Sequence, residues 1–416
     1  MPKIHKRVGE KIITIISMEV TRIFHPVGQG GFYTESFDNQ HMVVYDCGGS
    51  DNVKESIDSL LDRESSLQIE AIFISHLHDD HINGLQYLLD KTSAKRLFLP
   101  CFSQEIVFET LFYNSLQKPN GNNINSFVVS LIESVRSELS FIGDTHITTI
   151  SDEENGREYP SYALDGSIPN TIPSGTHLTE DKFWVYIPYK PKSQKIKFSK
   201  VDIKYRSTIE QIYNETSAKK QAKDIADFVK KYSVKTCKEI YRALFGGIHN
   251  SQSMPVFSGI LPNGNNMPLG YPLMPFCHFD IDIDCRHHDF LGHCFIDWYH
   301  CTPHAYFSLK KIICNFLYTG DYNAQKEENT KAIIKFYKEH QAWDTICGIQ
   351  IPHHGSKYNY HPALYEGCYY AVASAGTSNK YRHPNVKTLD KIYQQKCVPF
   401  VVTEDSSIRF VQNIHY

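Results

Sequence analysis

The 416-residue sequence predicts an α/β fold in which two strand-rich ends flank a largely helical middle. Near the start, the β-branched and aromatic runs "IITIISMEVTRIF" and "HMVVYDCGG" are separated by glycine turns, which is typical of strands and hairpins. The run "VKESIDSLLDR" has the apolar spacing of a helix, and "IEAIFIS" is a short apolar run of the kind found in a buried strand. Strand patterns return from about Gly246, in "SMPVFSGIL", "ICNFLYTGDY", "ICGIQIPHHGS", "YYAVASAG" and "PFVVTED".

The segment between these ends, residues 101–245, is predicted to be a mainly helical insertion. Its helical patterns are interrupted by polar loops rich in Gly, Asn, Pro and Ser, such as "QKPNGNNIN". Residues 262–305 form a second predicted insertion, which is rich in Cys and His. That insertion offers ligands for an additional structural Zn²⁺, but its spacing matches no paired CxxC arrangement, so a strand pair with buried cysteines is the alternative.

Composition excludes several classes of protein. No run approaches the roughly 18 to 20 apolar residues of a membrane-spanning helix, and the polar, basic start lacks the apolar core of a secretory signal. We therefore expect no membrane insertion and a cytoplasmic location. The formal net charge is −3, yet residues 182–242 contain sixteen Lys and Arg against six Asp and Glu.

The stretch "FISHLHDDHINGL" places an unusual density of protonatable groups directly after a predicted buried strand. His76 and His78 are separated by one residue, and Asp80 and His81 follow within reach. Neutral imidazoles and a carboxylate are good ligands for Zn²⁺ and acceptable ones for Mn²⁺ or Fe²⁺. A solvated polar loop would account for a lone histidine but not for this spacing. The stretch therefore predicts a metal site.

Further ligands are expected in the second strand-rich end. Asp321 follows a predicted strand and a glycine in "LYTGD", and His353 and His354 follow the next strand in "QIPHHGS". A carboxylate such as Asp321 is able to bridge two cations about 3.5 to 4 Å apart, the separation typical of two-metal hydrolytic sites.

These residues resemble the metallo-β-lactamase superfamily. "SHLHDDH" matches its HxHxDH signature, "TGD" its bridging aspartate, and "VVYDCG" the strand whose Asp46 supports the site. The chain is most similar to the ComEC-type hydrolase domain of DNA-uptake proteins, through "PVGQGG", "LYTGD", "IPHHGSKYN" and "SAGTSNKYRHP". The resemblance covers roughly residues 20–100 and 245–416. It implies a single metallo-β-lactamase domain over residues 1–416, built as a four-layer αβ/βα sandwich with a dinuclear metal site.

The resemblance also assigns roles to residues. Two divalent ions, Zn²⁺ or Mn²⁺, would be held by His76, His78, Asp80, His81, His249, Asp321 and His353. His354 is the competitor of His353, and His300 and His304 are alternatives to His249, which precedes Ser253 in an HxxxS pattern. Asp80 and His383 are the implied catalytic residues, His383 either protonating a leaving group or holding a scissile phosphate. The alternative for His383 is a turn histidine before proline. Ser356 of "PHHGS" is a predicted substrate contact.

Two cations lower the pKa of a bridging water, which implies a metal-dependent hydrolase that acts through a metal-bridging hydroxide. The metals do not identify the bond, because such sites cleave lactams, thioesters, lactones and phosphodiesters. The match to "PHHGS" and "YRHP" favours a phosphodiesterase or nuclease acting on nucleic acid or a nucleotide. A small-molecule hydrolase of the lactonase or thioesterase type, a nucleotide-signal hydrolase and a binding module with a degenerate site are the alternatives. The oligomeric state is not predicted.

The basic segment supports a polyanionic substrate. In residues 182–242, aromatic residues interleave with lysines, a composition suited to phosphate contact and base stacking. We predict that this segment forms one wall of the substrate path, where Lys195, Lys197 and Lys200 bind phosphates. The alternative is a solvated edge, because lysines also protect strand edges from aggregation. The aromatic residues of this prediction are Trp184, Tyr186, Tyr189, Phe198 and Tyr205.

Overall fold

A computed structural model of the chain describes residues 3–8, 11–16, 19–38, 40–63, 68–117, 125–139, 141–152, 159–180, 184–193, 195–245, 253–261, 276–282, 315–407 and 409–415. The strands are β1 (Lys3–Val8), β2 (Lys11–Ile16), β3 (Glu19–Phe24), β4 (Phe32–Phe37), β5 (His41–Cys47), β6 (Gln68–Phe73), β7 (Ala94–Pro100), β8 (Phe141–Ile142), β9 (Thr145–Ser151), β10 (Ser161–Ala163), β11 (Thr171–Pro173), β12 (His177–Glu180), β13 (Trp184–Pro188), β14 (Val256–Ile260), β15 (Phe276–Asp282), β16 (Phe316–Tyr318), β17 (Gly348–Gln350), β18 (Tyr370–Ser374), β19 (Val398–Val402) and β20 (Arg409–His415).

The helices connect these strands and cover the outer faces of the sheets. In chain order they are α1 (Val53–Arg63), α2 (Asp79–Ile82), α3 (Leu85–Lys91), α4 (Gln104–Gln117), α5 (Ser126–Arg136), α6 (Ile203–Tyr213), α7 (Ala218–Lys231), α8 (Val234–Phe245), α9 (Glu327–Glu339) and α10 (Val386–Gln394). Within the described ranges, no helix is both long and apolar enough to cross a membrane.

Two large mixed sheets form the centre of the molecule. One follows the order β11-β9-β7-β6-β5-β4-β3-β20-β15, with β8 paired to β9. The other follows the order β10-β12-β13-β14-β16-β17-β18-β19. Strands β5, β6, β7 and β9 are parallel in the first sheet, and β16, β17, β18 and β19 are parallel in the second. Parallel strands place their carboxyl ends at one edge, where loops from neighbouring strands meet.

Three apolar clusters define four layers. The first joins β5, β6 and β7 to the helices of the outer face, α1, α3, α4, α5, α7 and α8. The second lies between the two sheets and is rich in aromatic rings, including Phe24, Tyr33, Trp184 and Tyr318. The third joins the second sheet to α9 and α10. The predicted four-layer αβ/βα sandwich is thus confirmed.

The region 101–245 differs in part from its predicted helical character. It contains five helices, but strands β8 to β13 lie between α5 and α6 and extend both sheets. Apart from β9, these strands have only two to five residues, and polar turns separate them, so their apolar alternation covers too few residues to stand out in the sequence. Most of the Cys/His-rich region 262–305, with its proposed structural Zn²⁺ ligands, lies outside the described residues, apart from the backbone of β15.

Candidate metal centre

The predicted ligand loops meet where strands of the two sheets end. Strand β6 leads into the His76–His81 loop, which is fixed by the short helix α2. In the other sheet, β16 is followed by Asp321, and β17 by His353 and His354. The site is therefore assembled from both halves of the chain, as expected from the order of the motifs.

Two groups of ligand atoms are formed there. His76, His78 and Asp321 contribute one group, and Asp80, His81 and His354 the other, with the atoms of each group within 4.8 Å of one another. All six residues are buried except Asp80, which is half-buried. Each group combines imidazole nitrogen with carboxylate oxygen, the donor set that Zn²⁺ and Mn²⁺ accept.

Asp321 connects the two groups through its separate oxygens. Oδ2 lies 3.7 Å from His76 Nε2, while Oδ1 lies 3.1 Å from His81 Nε2 and 3.5 Å from His354 Nε2. The Asp321 backbone N–H donates to Ser253 Oγ at 3.0 Å, which anchors the loop to the segment before β14. The carboxylate thus faces both groups from one fixed position, the arrangement needed for a bridging ligand.

The two consecutive histidines occupy different places. His354 Nδ1 is 2.9 Å from the Ser374 carbonyl oxygen, so it donates there, and Nε2 lies 3.3 Å from Asp80 Oδ2. Metal-bound histidines usually direct their second ring nitrogen to such an acceptor. His353, which the sequence analysis favoured as the ligand, approaches Asp321 Oδ2 at 3.8 Å and is more exposed than His354. The geometry favours the alternative, His354.

Asp46 orients the His76–His81 loop through hydrogen bonds to Ser75 and His81. Its Oδ2 accepts from Ser75 Oγ at 2.8 Å and from His81 Nδ1 at 2.8 Å, and Oδ1 accepts from the Ser75 backbone N–H at 2.7 Å. Donation by Nδ1 leaves His81 Nε2 directed at Asp321. This supporting position of Asp46 is the one that the resemblance implies.

The glycines of "VGQGG" and "DCGG" allow the backbone to pack against this loop. A Cβ on Gly30 would lie 2.4 Å from the Asp80 carbonyl oxygen, and one on Gly48 would lie 2.6 Å from the His81 carbonyl carbon. Gly31 N–H donates to the same Asp80 carbonyl at 3.1 Å. Close backbone approach therefore explains why these positions are glycine.

Burial and opposite charges shift the pKa values of the central groups. Burial alone would raise the pKa of Asp321, but His353, His81 and His354 hold it well below its usual range. Burial would lower the pKa of His81, but Asp321 and Asp46 raise it well above its usual value. Burial lowers the pKa of His76, and its neighbours His81 and His78 lower it further.

The donor set fits divalent cations. The buried Nε2 atoms of His76 and His78 make no hydrogen bond to any described residue, and leaving such atoms unsatisfied is costly. A cation within each group would satisfy the imidazole nitrogens and balance the charge of the carboxylates.

Helix α4 closes one side of the site, which the sequence analysis did not predict. Glu109 Oε2 lies 3.5 Å from His78 Nε2, and its Oε1 accepts from the Tyr241 hydroxyl. The Tyr113 ring stacks on His78 with centroids 3.9 Å apart, and Asn114 Nδ2 donates to the Leu77 carbonyl at 3.1 Å. A signal was present: in the apolar helix "QEIVFETLFYNSLQ", Glu109 and Tyr113 are four positions apart, which places them on one face.

His383 lies beside the histidines of the "PHHGS" loop. Its ring centroid is 5.7 Å from that of His353 and 5.8 Å from that of Tyr381. Asn379 holds the loop, since its Oδ1 accepts from the His383 N–H at 2.8 Å and its Nδ2 donates to the His383 carbonyl. Burial, together with His353 and His354, lowers the pKa of His383 to about 4.

Several predicted residues have other placements. His249, His300 and His304 lie outside the described residues. Ser356 is buried, and its Oγ accepts from the Tyr358 N–H at 3.3 Å. Lys195, Lys197 and Lys200 are exposed.

The stacking role of the aromatic residues in the basic segment is not supported, because most of them pack in the interior. Trp184, Tyr186 and Tyr189 are buried, and Trp184 Nε1 donates to Ser258 Oγ at 2.9 Å. Phe198 and Tyr205 pack against the outer helical cluster. Lys190 is also buried, paired with Asp152 at 3.0 Å, so it is not available to phosphates. The alternation of apolar and basic residues here reflects sheet and helix packing.

Comparison with known proteins finds a family match over part of the chain. Residues 37–97 match the family model of the Metallo-beta-lactamase superfamily. The matched residues include Asp46 and the His76–His81 loop. The ComEC-type resemblance within the superfamily stays a prediction.

Two proteins that match the chain in part carry ribonuclease names. Ribonuclease J of Mycoplasma pneumoniae (strain ATCC 29342 / M129 / Subtype 1) is 27% identical over 86 residues, which cover 18% of this chain and 15% of the ribonuclease. Among solved structures, a long form RNase Z from yeast matches 80% of this chain and 32% of that chain, with 9% identity and a TM-score of 0.31. The chain thus spans a minor part of each relative.

Proposed function

We propose that the protein is a dinuclear metal-dependent phosphodiesterase or nuclease. The observation that carries this proposal is the position of Asp321, whose two oxygens face two adjacent groups of buried histidine and aspartate ligands. Such paired sites are suited to phosphodiester hydrolysis, because they stabilise both the attacking and the leaving oxygen.

The proposed ligands of the first ion are His76, His78 and Asp321, with His249 as the predicted further ligand. Those of the second ion are Asp80, His81, His354 and Asp321. Bound divalent cations would supply Lewis acidity and a lowered pKa of water. Asp46 accepts a hydrogen bond from His81 Nδ1, and the Ser374 carbonyl accepts one from His354 Nδ1. In these tautomers the Nε2 lone pair of each histidine is available to a cation.

His383 is proposed to hold a phosphate oxygen rather than to protonate the leaving group. With a pKa of about 4, its imidazole is neutral near pH 7 and carries no acidic proton of suitable strength. The Nδ1 atom of His383 makes no hydrogen bond to any described residue, and the side chain as a whole is half-buried, so this ring is the proposed donor to a phosphate oxygen. Lys195, Lys197, Lys200 and Ser356 remain proposed substrate contacts.

The resemblance of this chain to Ribonuclease J supports a nucleic-acid substrate over a lactone or thioester. Turnover of nucleic acid and of a nucleotide signal, measured side by side, decides between these two classes of phosphodiester.

The test is hydrolysis of a substrate panel by purified protein supplied with Zn²⁺ or Mn²⁺. We expect cleavage of single-stranded DNA or RNA and no cleavage of lactones or thioesters. Asp80→Ala should abolish turnover, because it removes a proposed metal ligand. The fold should stay intact, because the Asp80 side chain contributes no apolar surface to the core. Asp90→Ala, at an exposed position of α3, is the matched control and should retain parental activity.

Two results would contradict the proposal. Full activity of Asp80→Ala would show that the metal groups are not the catalyst. Preferred turnover of a lactone or thioester over every phosphodiester would assign the domain to small-molecule hydrolysis.

A further inference from the structure

Two exposed tyrosines lie on the loops that also carry the site histidines. Tyr358 follows the "PHHGS" loop and is 60% exposed, and Tyr381 precedes His383 and is 47% exposed. Two exposed aromatic rings on the loops of one site offer surfaces on which a planar ligand group is able to stack.

The tyrosines are continuous with the metal centre. His353 Nε2 lies 3.8 Å from Asp321 Oδ2, and the His353 ring centroid lies 5.7 Å from that of His383. The Tyr381 ring is nearly parallel to the His383 ring, with an angle of 18° between the planes and 5.8 Å between the centroids. On the other loop, Ser356 Oγ accepts from the Tyr358 backbone N–H, which ties Tyr358 to the same histidine loop. A polymer that leaves the site over His383 therefore passes the Tyr381 ring, and Tyr358 offers a second ring on the neighbouring histidine loop.

Each tyrosine is accompanied by a lysine. Lys357 Nζ lies 4.8 Å from the Tyr358 ring centroid, and Lys380 Nζ lies 4.9 Å from that of Tyr381. Gln117 Oε1, at the end of α4, accepts from the Tyr381 hydroxyl at 3.3 Å and from Lys380 Nζ at 3.4 Å. Each ammonium group lies over its ring, but both lysines are exposed, so they are able to move from the ring to an adjacent phosphate when a base stacks there. A ring for the base and a cation for the phosphate are the combination that binds single-stranded nucleic acid.

We infer that Tyr358 and Tyr381 form a stacking surface for unpaired nucleobases next to the metal centre, so that the substrate is a single-stranded nucleic acid. This inference rests on the proposed nuclease function and refines its substrate. The bases of a duplex already stack on one another, so a duplex would present no base face to these rings.

The experiment measures the affinity of metal-free protein for three 12-mer probes by fluorescence anisotropy: a base-bearing single strand, in DNA and RNA versions, an abasic strand with the same phosphates, and a duplex. The parent should bind the base-bearing strand at least tenfold more tightly than the abasic strand. Tyr381→Ala and Tyr358→Ala should each reduce affinity for the base-bearing strand by roughly tenfold and leave the abasic strand unchanged.

Matched variants separate the ring from other effects. Tyr381→Phe keeps the ring and loses the hydroxyl contact to Gln117, so it should retain base-dependent binding. Tyr393→Ala removes a tyrosine that is 61% exposed on α10, outside the site loops, and should behave as the parent.

The outcomes separate this inference from the proposed function. Equal affinity for base-bearing and abasic strands, in the parent and in both alanine variants, would overturn the stacking surface but leave a phosphate-binding nuclease intact. Tighter binding of the duplex would also overturn it. Absence of binding to all three probes would overturn the stacking surface and the nucleic-acid substrate together.

Discussion

At the scale of single residues, the choice between His353 and His354 shows what a motif leaves open. Both residues adopt left-handed backbone conformations, with φ of 50° and 54°, which non-glycine residues rarely adopt outside strained sites. The sequence predicts that a histidine of "PHHGS" reaches the metals. The backbone conformation at these two residues determines which imidazole reaches the metal groups. The spacing of residues in the sequence does not predict that conformation.

The metal content of two alanine variants tests this choice. His354→Ala should lose one of two bound ions, because its Nε2 belongs to the group with Asp80 and His81. His353→Ala should retain both ions, since its Nε2 is 3.8 Å from Asp321 Oδ2 and lies outside both groups. Metal per chain is measured by mass spectrometry after dialysis, with circular dichroism as a control for folding. If His353→Ala loses an ion and His354→Ala does not, then His353, the ligand favoured by the sequence, binds the metal.

At the scale of elements, strands and their end residues were predictable, whereas the wall formed by α4 was not. Helix α1 and strands β5, β6, β14, β16, β17, β18 and β19 were predicted from apolar patterns. The motif residues lie at the ends of these strands, so sheet topology brings them together. Helix α4 reaches His78 through tertiary packing against α7 and α8, which local periodicity does not encode.

A charge-neutral substitution tests the role of α4. Glu109→Gln should weaken metal binding at the first group by about 10- to 100-fold, because the Glu109 carboxylate lies 3.5 Å from His78 Nε2 and contributes negative charge there. Affinity is measured by titration with a chelating competitor. Glu105→Gln, one turn earlier on α4, is the matched control and should keep parental affinity. Unchanged affinity in Glu109→Gln would limit the role of α4 to covering the site.

At the scale of the whole molecule, the interface between the sheets combines aromatic packing with one buried ion pair. Arg22 Nε donates to Glu35 Oε1 at 2.6 Å, and Glu35 also accepts from Tyr186 and Tyr318 at 2.5 and 2.9 Å. A buried charge pair of this kind requires satisfied partners on both sheets. The sequence predicts two packed sheets but not this network, because its hydrogen-bonded partners are distant in the sequence; Tyr318 and Glu35 are 283 positions apart.

Burial also makes the stability of the sandwich dependent on pH through His25, which lies after β3 far along the chain from the ligand loops. Its ring stacks on Phe32 with centroids 4.2 Å apart, and Nε2 lies 2.9 Å from Thr34 Oγ1. Burial, with smaller effects of Arg63 and Arg409, lowers its pKa from 6.5 to about 3. The folded state therefore favours the neutral ring, so this contribution to stability is fully present above about pH 6.5 and declines as the pH falls toward 3.

The expected consequence is that the metal-free protein loses about 2 kcal/mol of its free energy of unfolding between pH 7 and pH 5 through His25 alone. Urea denaturation at the two pH values measures the total loss for the parent and for His25→Gln, which does not titrate in this range. The loss should be smaller in His25→Gln by about that amount, because all other titrating groups contribute equally to both proteins. His146→Gln, at a half-buried position of β9, should show the parental loss. An identical loss in the parent and His25→Gln would mean that His25 remains accessible to protons in the folded state.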